Sequence, residues 1–193
     1  MKKMMFSLGL AAAAASVWAD GTVAQTGGRV SFTGEVLAST CAVAAASQDI
    51  QVTLPTVESN DLENNVGEKR NFTIELEGCP TGSVLAKANP GKEAISVRFA
   101  PNNPLHSNLG VLSNTAAQEQ RAENIGVQLL NKDGAPLNFD EEGQNATSVA
   151  FSEADTAGGR AQLVFQARLF AGQNLPITAG QVSAATPFVI EYK

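Results

Sequence analysis

The 193-residue sequence carries 13 lysines and arginines against 19 aspartates and glutamates, a formal net charge of −6. An acidic chain repels phosphate backbones, which argues against a nucleic-acid partner. The length suits one domain with a real core. Two distant cysteines with no histidine nearby fall short of a zinc ligand set.

The first residues read as a secretory signal. Lys2 and Lys3 form a basic start, Met4 to Ser16 an uncharged and mostly apolar run, and Val17-Trp18-Ala19 the small-x-small spacing of a cleavage site. That run is shorter than the roughly 20 residues a membrane-spanning helix needs. Cleavage after Ala19 is therefore expected, leaving Asp20 to Lys193, and the loss of Lys2 and Lys3 takes the charge from −6 to −8. In an exported chain an even pair of cysteines reads as a disulfide. Cys41 and Cys79 are expected to be joined, closing a loop of about 39 residues that contributes roughly 4 kcal/mol in chain-entropy terms. The periplasm is the matching compartment.

Period-two alternation, which buries one face of a strand and wets the other, dominates the remainder of the chain. Val30, Phe32 and Val36 share one parity. Ile50, Val52 and Leu54 alternate with Gln51 and Thr53, and Phe72, Ile74 and Leu76 with Thr73, Glu75 and Glu77. Ile95, Val97 and Phe99 come next, then Ile125, Val127 and Leu129, then Leu163, Phe165, Ala167 and Leu169. Val182, Ala184, Phe188, Ile190 and Tyr192 share the last face. Turns punctuate these runs at Asn89-Pro90-Gly91, at Asp133-Gly134 and at Ala157-Gly158-Gly159. Glu58 to Arg70 and Asn102 to Asn114 read as loops, with short turns near Ala116 to Ala122. Many short strands with regular turns predict an all-β sandwich.

The two ends stand apart. The last strand is strongly apolar and runs to the penultimate residue, so its edge needs a partner. Asp20 to Thr33 contains Gly27-Gly28 and then alternating apolar residues, with no hairpin turn tying it to the next strand. Spare strand at one end and an open edge at the other can be satisfied within one molecule or between molecules, and periodicity does not choose.

The segments Gly27 to Val36, Cys41-Ala42-Val43, Leu76-Glu77-Gly78-Cys79-Pro80, Asn124 to Leu130 and Phe165 to Ala171 together resemble the chaperone–usher pilins, and among them the major subunits of type 1 fimbriae. The C-terminus carries the most specific likeness. Gly180 stands fourteenth from the end, Val182, Phe188 and Ile190 alternate, and Tyr192 is penultimate. The resemblance implies an incomplete immunoglobulin-like β-sandwich lacking its final strand and completed by donor-strand exchange. It implies a donor extension over 20–33, with Val23 or Ala24, Gly28, Val30 and Phe32 entering a neighbour, and a domain proper over 34–193. It implies an acceptor groove along Gly180, Val182, Phe188, Ile190 and Tyr192. The implied partners are a periplasmic pilus chaperone, an outer-membrane usher and neighbouring pilin subunits, with no cofactor, and the destination is the cell surface.

Enzymatic alternatives find little footing. His106 is the only histidine and sits in an expected loop. No Gly-x-Ser-x-Gly elbow occurs. Asp140-Glu141-Glu142 lacks the spaced ligands of a calcium loop, and Gly27-Gly28 lacks the lysine and helix of a phosphate loop. Two N-glycosylation patterns, at Asn71 and Asn145, stand idle in a bacterial reading. Two functional classes remain: a structural pilus subunit, and a minor adaptor or tip subunit with a binding role. A tip adhesin with its own lectin domain does not fit, because only Asp20 to Thr40 separate the signal from the first cysteine.

Overall fold

The computed structural model of the chain describes residues 31, 33, 40–58, 62, 66–140, 147–156, 158–172 and 176–193, and Val36–Lys193 form one unit. In chain order its elements are β1 (Ala42–Val43), β2 (Arg70–Glu77), α1 (Gly82–Ala88), β3 (Ala94–Phe99), β4 (Pro104–His106), β5 (Val111–Ser113), β6 (Ile125–Asn131), β7 (Ser148–Ala150), α2 (Phe151–Thr156), β8 (Ala161–Ala171) and β9 (Phe188–Tyr192). The six-stranded sheet runs β1-β2-β8-β6-β5-β4 and the three-stranded sheet β7-β3-β9. The ladders between these strands are antiparallel, and among the described residues a single parallel bridge joins Arg121 to Gln181.

β8 is the spine of the larger sheet, paired with β2 over Ala161–Ala167 on one side and with β6 over Phe165–Ala171 on the other. Its alternation sends Leu163, Phe165 and Ala167 into the core and Gln162, Val164 and Gln166 outward. They meet Ile74 and Leu76 of β2 and, from the facing sheet, Ile95, Val97 and Phe99 of β3. Phe99 stands edge-on to Phe165 at 5.1 Å and to Phe188 at 6.3 Å, and Phe72 stacks on Phe165 at 5.7 Å. Full burial of one such side chain is worth about 1.5–3 kcal/mol, and offset or edge-on aromatic pairs add about 0.5–1.5 kcal/mol each.

The sandwich is the expected incomplete immunoglobulin-like one. The Asp133-Gly134 turn forms as the sequence predicts: Asn131 Oδ1 accepts the N–H groups of Asp133 and Ala135 at 3.0 Å, and Gly134 takes a φ of 84° that suits glycine. Other parts differ. The expected loop Asn102 to Asn114 contains β4 and β5. Both are three residues long, and Val111 and Leu112 are both buried, so no alternation marks them. Two short helices also stand where no helical period shows. α1 inserts Leu85 into the core, and α2 inserts Phe151 and Ala154, spaced three apart. At seven and six residues they are too brief for a periodic signal. Among the described residues no helix is long and apolar enough to cross a membrane.

Candidate functional site: an open groove beside the last strand

Two extended segments flank a groove of about 1170 Å³. One wall is Gln48 to Glu58 and the other Ile177 to Phe188. The floor is core: Phe72, Ile74 and Phe99 toward one end, Val127, Leu129 and Leu169 in the middle, Ile125 and Leu62 toward the other. The buried apolar residues fall into two clusters. The larger holds Phe165 and Ile95, the smaller Leu62, Ala122, Ile125, Leu169 and Ala171, and Leu54 and Val127 touch both. The groove thus runs where one continuous core is expected.

The wall nearer the C-terminus has a strict parity. Lys193 and Ala94 exchange backbone hydrogen bonds, and Ala100 donates to the Pro187 carbonyl. Antiparallel geometry then directs the backbone groups of residues 187, 189, 191 and 193 toward β3. Earlier on the same segment, Gln181 and Ser183 bond to the stretch Asn114 to Ala122. Residues 181, 183, 187, 189, 191 and 193 are therefore committed within the molecule. The N–H and C=O groups of Val182, Ala184, Thr186, Phe188, Ile190 and Tyr192 point to the opposite edge, the first four of these residues lining the groove, and among the described residues no strand pairs with them. The side chains of these same residues turn half-buried toward the core.

The opposite wall is built alike. Ile50, Val52 and Leu54 point inward, half-buried against the core, while Gln51 and Thr53 are exposed. The segment is extended but enters neither sheet. Sequence alternation reads this stretch as an ordinary strand and misses its role as a wall. Pro55, which lacks a backbone donor and belongs on strand edges, is the signal that marks it.

Gly180 is exposed, yet it has no room for a side chain. A Cβ there would lie 2.6 Å from the Arg121 carbonyl carbon and 2.7 Å from the Gln120 carbonyl oxygen. Its φ is not positive, so the requirement is close approach of two backbones, held by Gln181 N–H to Gln120 O at 2.6 Å and Ala122 N–H to Gln181 O at 3.0 Å. Val182 and Phe188 line the groove beside it, and Ile190 packs on the core. Tyr192 lies at the far end, against Phe151, and its phenolic oxygen accepts the backbone N–H of Cys41 at 2.7 Å. Burial raises the tyrosine pKa above its ordinary value of 10.0, and the Cys41 hydrogen bond offsets part of that rise.

Cys41 and Cys79 form a disulfide, as expected. The bond ties the start of β1 to the residues following β2, the two strands being paired through Ala42 and Glu77. Gly159 packs directly on the Cys79 backbone and accepts its N–H at 2.9 Å. The expected donor residues Val23, Ala24, Gly28, Val30 and Phe32 lie outside the described residues, as do Glu141, Glu142 and Asn145. His106 is an exposed residue of the edge strand β4, set edge-on to Phe170.

A model of the family described as fimbrial protein matches residues 30–193. The chain is 34% identical to the F17 fimbrial protein of Escherichia coli, with all of both chains covered. It is 32% identical to a type-1 fimbrial protein subunit of Serratia marcescens, again over the whole of both chains. Its fold is similar to that of the P pilus rod subunit PapA, with a TM-score of 0.61 at 18% identity, over 79% of this chain and 99% of that one.

Proposed function

The chain belongs to the fimbrial protein family, and from that premise we propose that it is a structural subunit of a chaperone–usher pilus, polymerising by donor-strand complementation and supporting cell adhesion. One observation carries the reading. A groove of about 1170 Å³ with an apolar floor opens beside a strand whose backbone groups on that side meet no partner strand among the described residues. Such a site takes an extended segment: main-chain hydrogen bonds hold it and alternate side chains fill the floor. Chaperone–pilin complementation is itself a known instance of this mode.

In the proposed cycle the signal over 1–19 is removed on export. A periplasmic chaperone fills the groove with its own strand, and at the outer-membrane usher the extension of the next subunit, 20–33, replaces it. Val30 and Phe32 would lie on the groove floor, with Val23 or Ala24 further out and Gly28 at a tight point. Each large apolar side chain so buried contributes about 1.5–3 kcal/mol, and the inserted strand would join the two core clusters.

Deleting Asp20 to Thr33 from the exported protein tests this. The expected product is a folded, chaperone-bound monomer that adds no further subunit. Fibres of normal length with that variant as sole subunit would overturn the reading.

A further inference from the structure

Asn114, the residue after β5, fastens the C-terminal wall of the groove from behind. Its side chain is half-buried, and all four hydrogen-bonding positions of its amide are used. Nδ2 donates to the carbonyls of Ala122 at 2.9 Å and Gln181 at 2.8 Å, and Oδ1 accepts the N–H groups of Ala116 and Ser183, both at 3.0 Å. Turned the other way, the amide would set its NH2 against two N–H groups, so its partners fix its orientation.

Two of those partners, the Gln181 carbonyl and the Ser183 N–H, bracket Val182. A carboxamide has the shape of a peptide group, and here it takes the place of one from a neighbouring strand on the closed side of the wall. Thr115 completes the grip, its N–H and its hydroxyl donating to the Ser183 carbonyl at 2.7 and 3.1 Å. Backbone groups of successive residues point to opposite sides of a strand. Holding residues 181 and 183 from behind therefore turns the N–H and C=O of Val182 to the open edge, while its side chain packs on the smaller core cluster. The ladder to β3 does not reach this far: it begins at Phe188, and Ala100 extends it only to Pro187. Backbone bonds from Gln120 and Ala122 hold Gln181 itself, and Asn114 and Thr115 carry the hold two residues further.

We propose that Asn114 is a positioning residue for strand insertion. Its side-chain amide pre-sets the peptide groups of Val182, so that an incoming extended segment meets a formed hydrogen-bonding edge at this end of the groove. An edge that must be ordered during binding costs conformational entropy, which a pre-set edge avoids. The proposal rests on the strand-exchange reading above and adds to it a residue that does not line the groove.

The test follows capture of a synthetic peptide spanning residues 20–33 by the full exported chain in complex with its chaperone, read as detergent-resistant peptide–subunit complex against time. Asn114→Ala removes all four bonds. Asn114→Asp keeps the shape and the acceptors but loses both donors. Asn131→Ala is the comparison, because Asn131 also holds two backbone N–H groups at 3.0 Å, in the Asp133-Gly134 turn away from the groove. Capture by Asn114→Ala should slow about tenfold, the scale of one or two hydrogen bonds. Amide exchange in the filled groove should quicken at Val182 and Ala184 and stay unchanged at Ile190. Asn114→Asp should slow capture as well, and it carries the test by itself if Asn114→Ala gives no folded complex. Asn131→Ala should lower the melting temperature of the complex without slowing capture.

Capture by either Asn114 variant at the unmodified rate would overturn the proposal. Equal quickening of exchange at Ile190 would overturn it too, as would equal slowing by Asn131→Ala at a matching loss of melting temperature, since the role would then be general stability. Failure of the unmodified chain to capture the peptide would overturn the strand-exchange reading, and this proposal with it.

Discussion

The hydroxyl of Tyr192 accepts the backbone N–H of Cys41 at 2.7 Å, joining the penultimate residue of the chain to the start of its disulfide loop across 151 positions. Replacing Tyr192 with Phe keeps the ring against Phe151 and strands that N–H. The expected loss is about 1–3 kcal/mol, the cost of an unmet polar group in a part-buried site. A shift of the urea midpoint of the folded subunit measures it, and an unchanged midpoint would show the bond to be idle.

Tyr192 is the only tyrosine in the chain, so tyrosinate absorbance reports it alone. Its pKa is raised in the folded state, chiefly by burial. Deprotonation is thus harder folded than unfolded, and the associated stabilisation is complete below the unfolded value near 10.0 and lost as pH rises through the higher folded value. The absorbance midpoint of the folded protein should lie above that of the denatured protein. Coincident midpoints would contradict the buried placement.

Replacing both Cys41 and Cys79 with Ser should cost roughly 2–5 kcal/mol, as loss of a native disulfide does in small exported domains. The same variant should reduce the effect of Tyr192→Phe, because the N–H that Tyr192 receives is then less firmly placed. Denaturant midpoints of the two variants and their combination form the cycle. Full additivity would mean that the bridge and the hydroxyl act independently.

Gly180→Ala places a methyl group against the backbone of Gln120 to Ala122. The two backbones must part, loosening the Gln120–Gln181 hydrogen bond, and overpacking of this kind costs about 1–3 kcal/mol. Thermal melting of the chaperone-bound monomer should fall. An unchanged melting temperature would mean that the 176–181 stretch yields without cost.

Val52→Asp puts a charge on the groove's first wall, where the native side chain faces the core half-buried. Polymers of this variant should dissociate in hot detergent at a lower temperature than those of the unmodified chain, since an inserted strand would have to desolvate the carboxylate. Equal heat resistance would place the inserted strand elsewhere.

How legible these features are in the sequence depends on how each is made. Leu163, Phe165 and Ala167 are read correctly because one face of β8 is buried along its length. Val111 and Leu112 escape because both are buried, and the Leu85 and Phe151 helices because one or two turns leave no period. In the groove, Val182 and Phe188 are legible as one strand face, but strand assignment covers only Phe188–Tyr192. The preceding stretch stays extended without a ladder on its open side, a fact about a missing neighbour that no residue encodes. Gly180 is recognisable by position alone, and the reason for it, two backbones in contact, exists only in the fold.

The parity of the last segment has one more consequence. Slipping it by a single residue against β3 would turn Ser183, Val189 and Glu191 toward the core and exchange the committed backbone groups for the open ones. A slipped molecule would offer a polar, mismatched slot where the native one offers an apolar one. Three pins oppose that slip: Gly180 seated on Arg121 and Ala122, Arg98 bonded to Glu191 at 2.5 Å, and Tyr192 bonded to Cys41. Under the proposed strand exchange, alignment of this strand would act as quality control, since only a correctly registered molecule would expose the receiving edge.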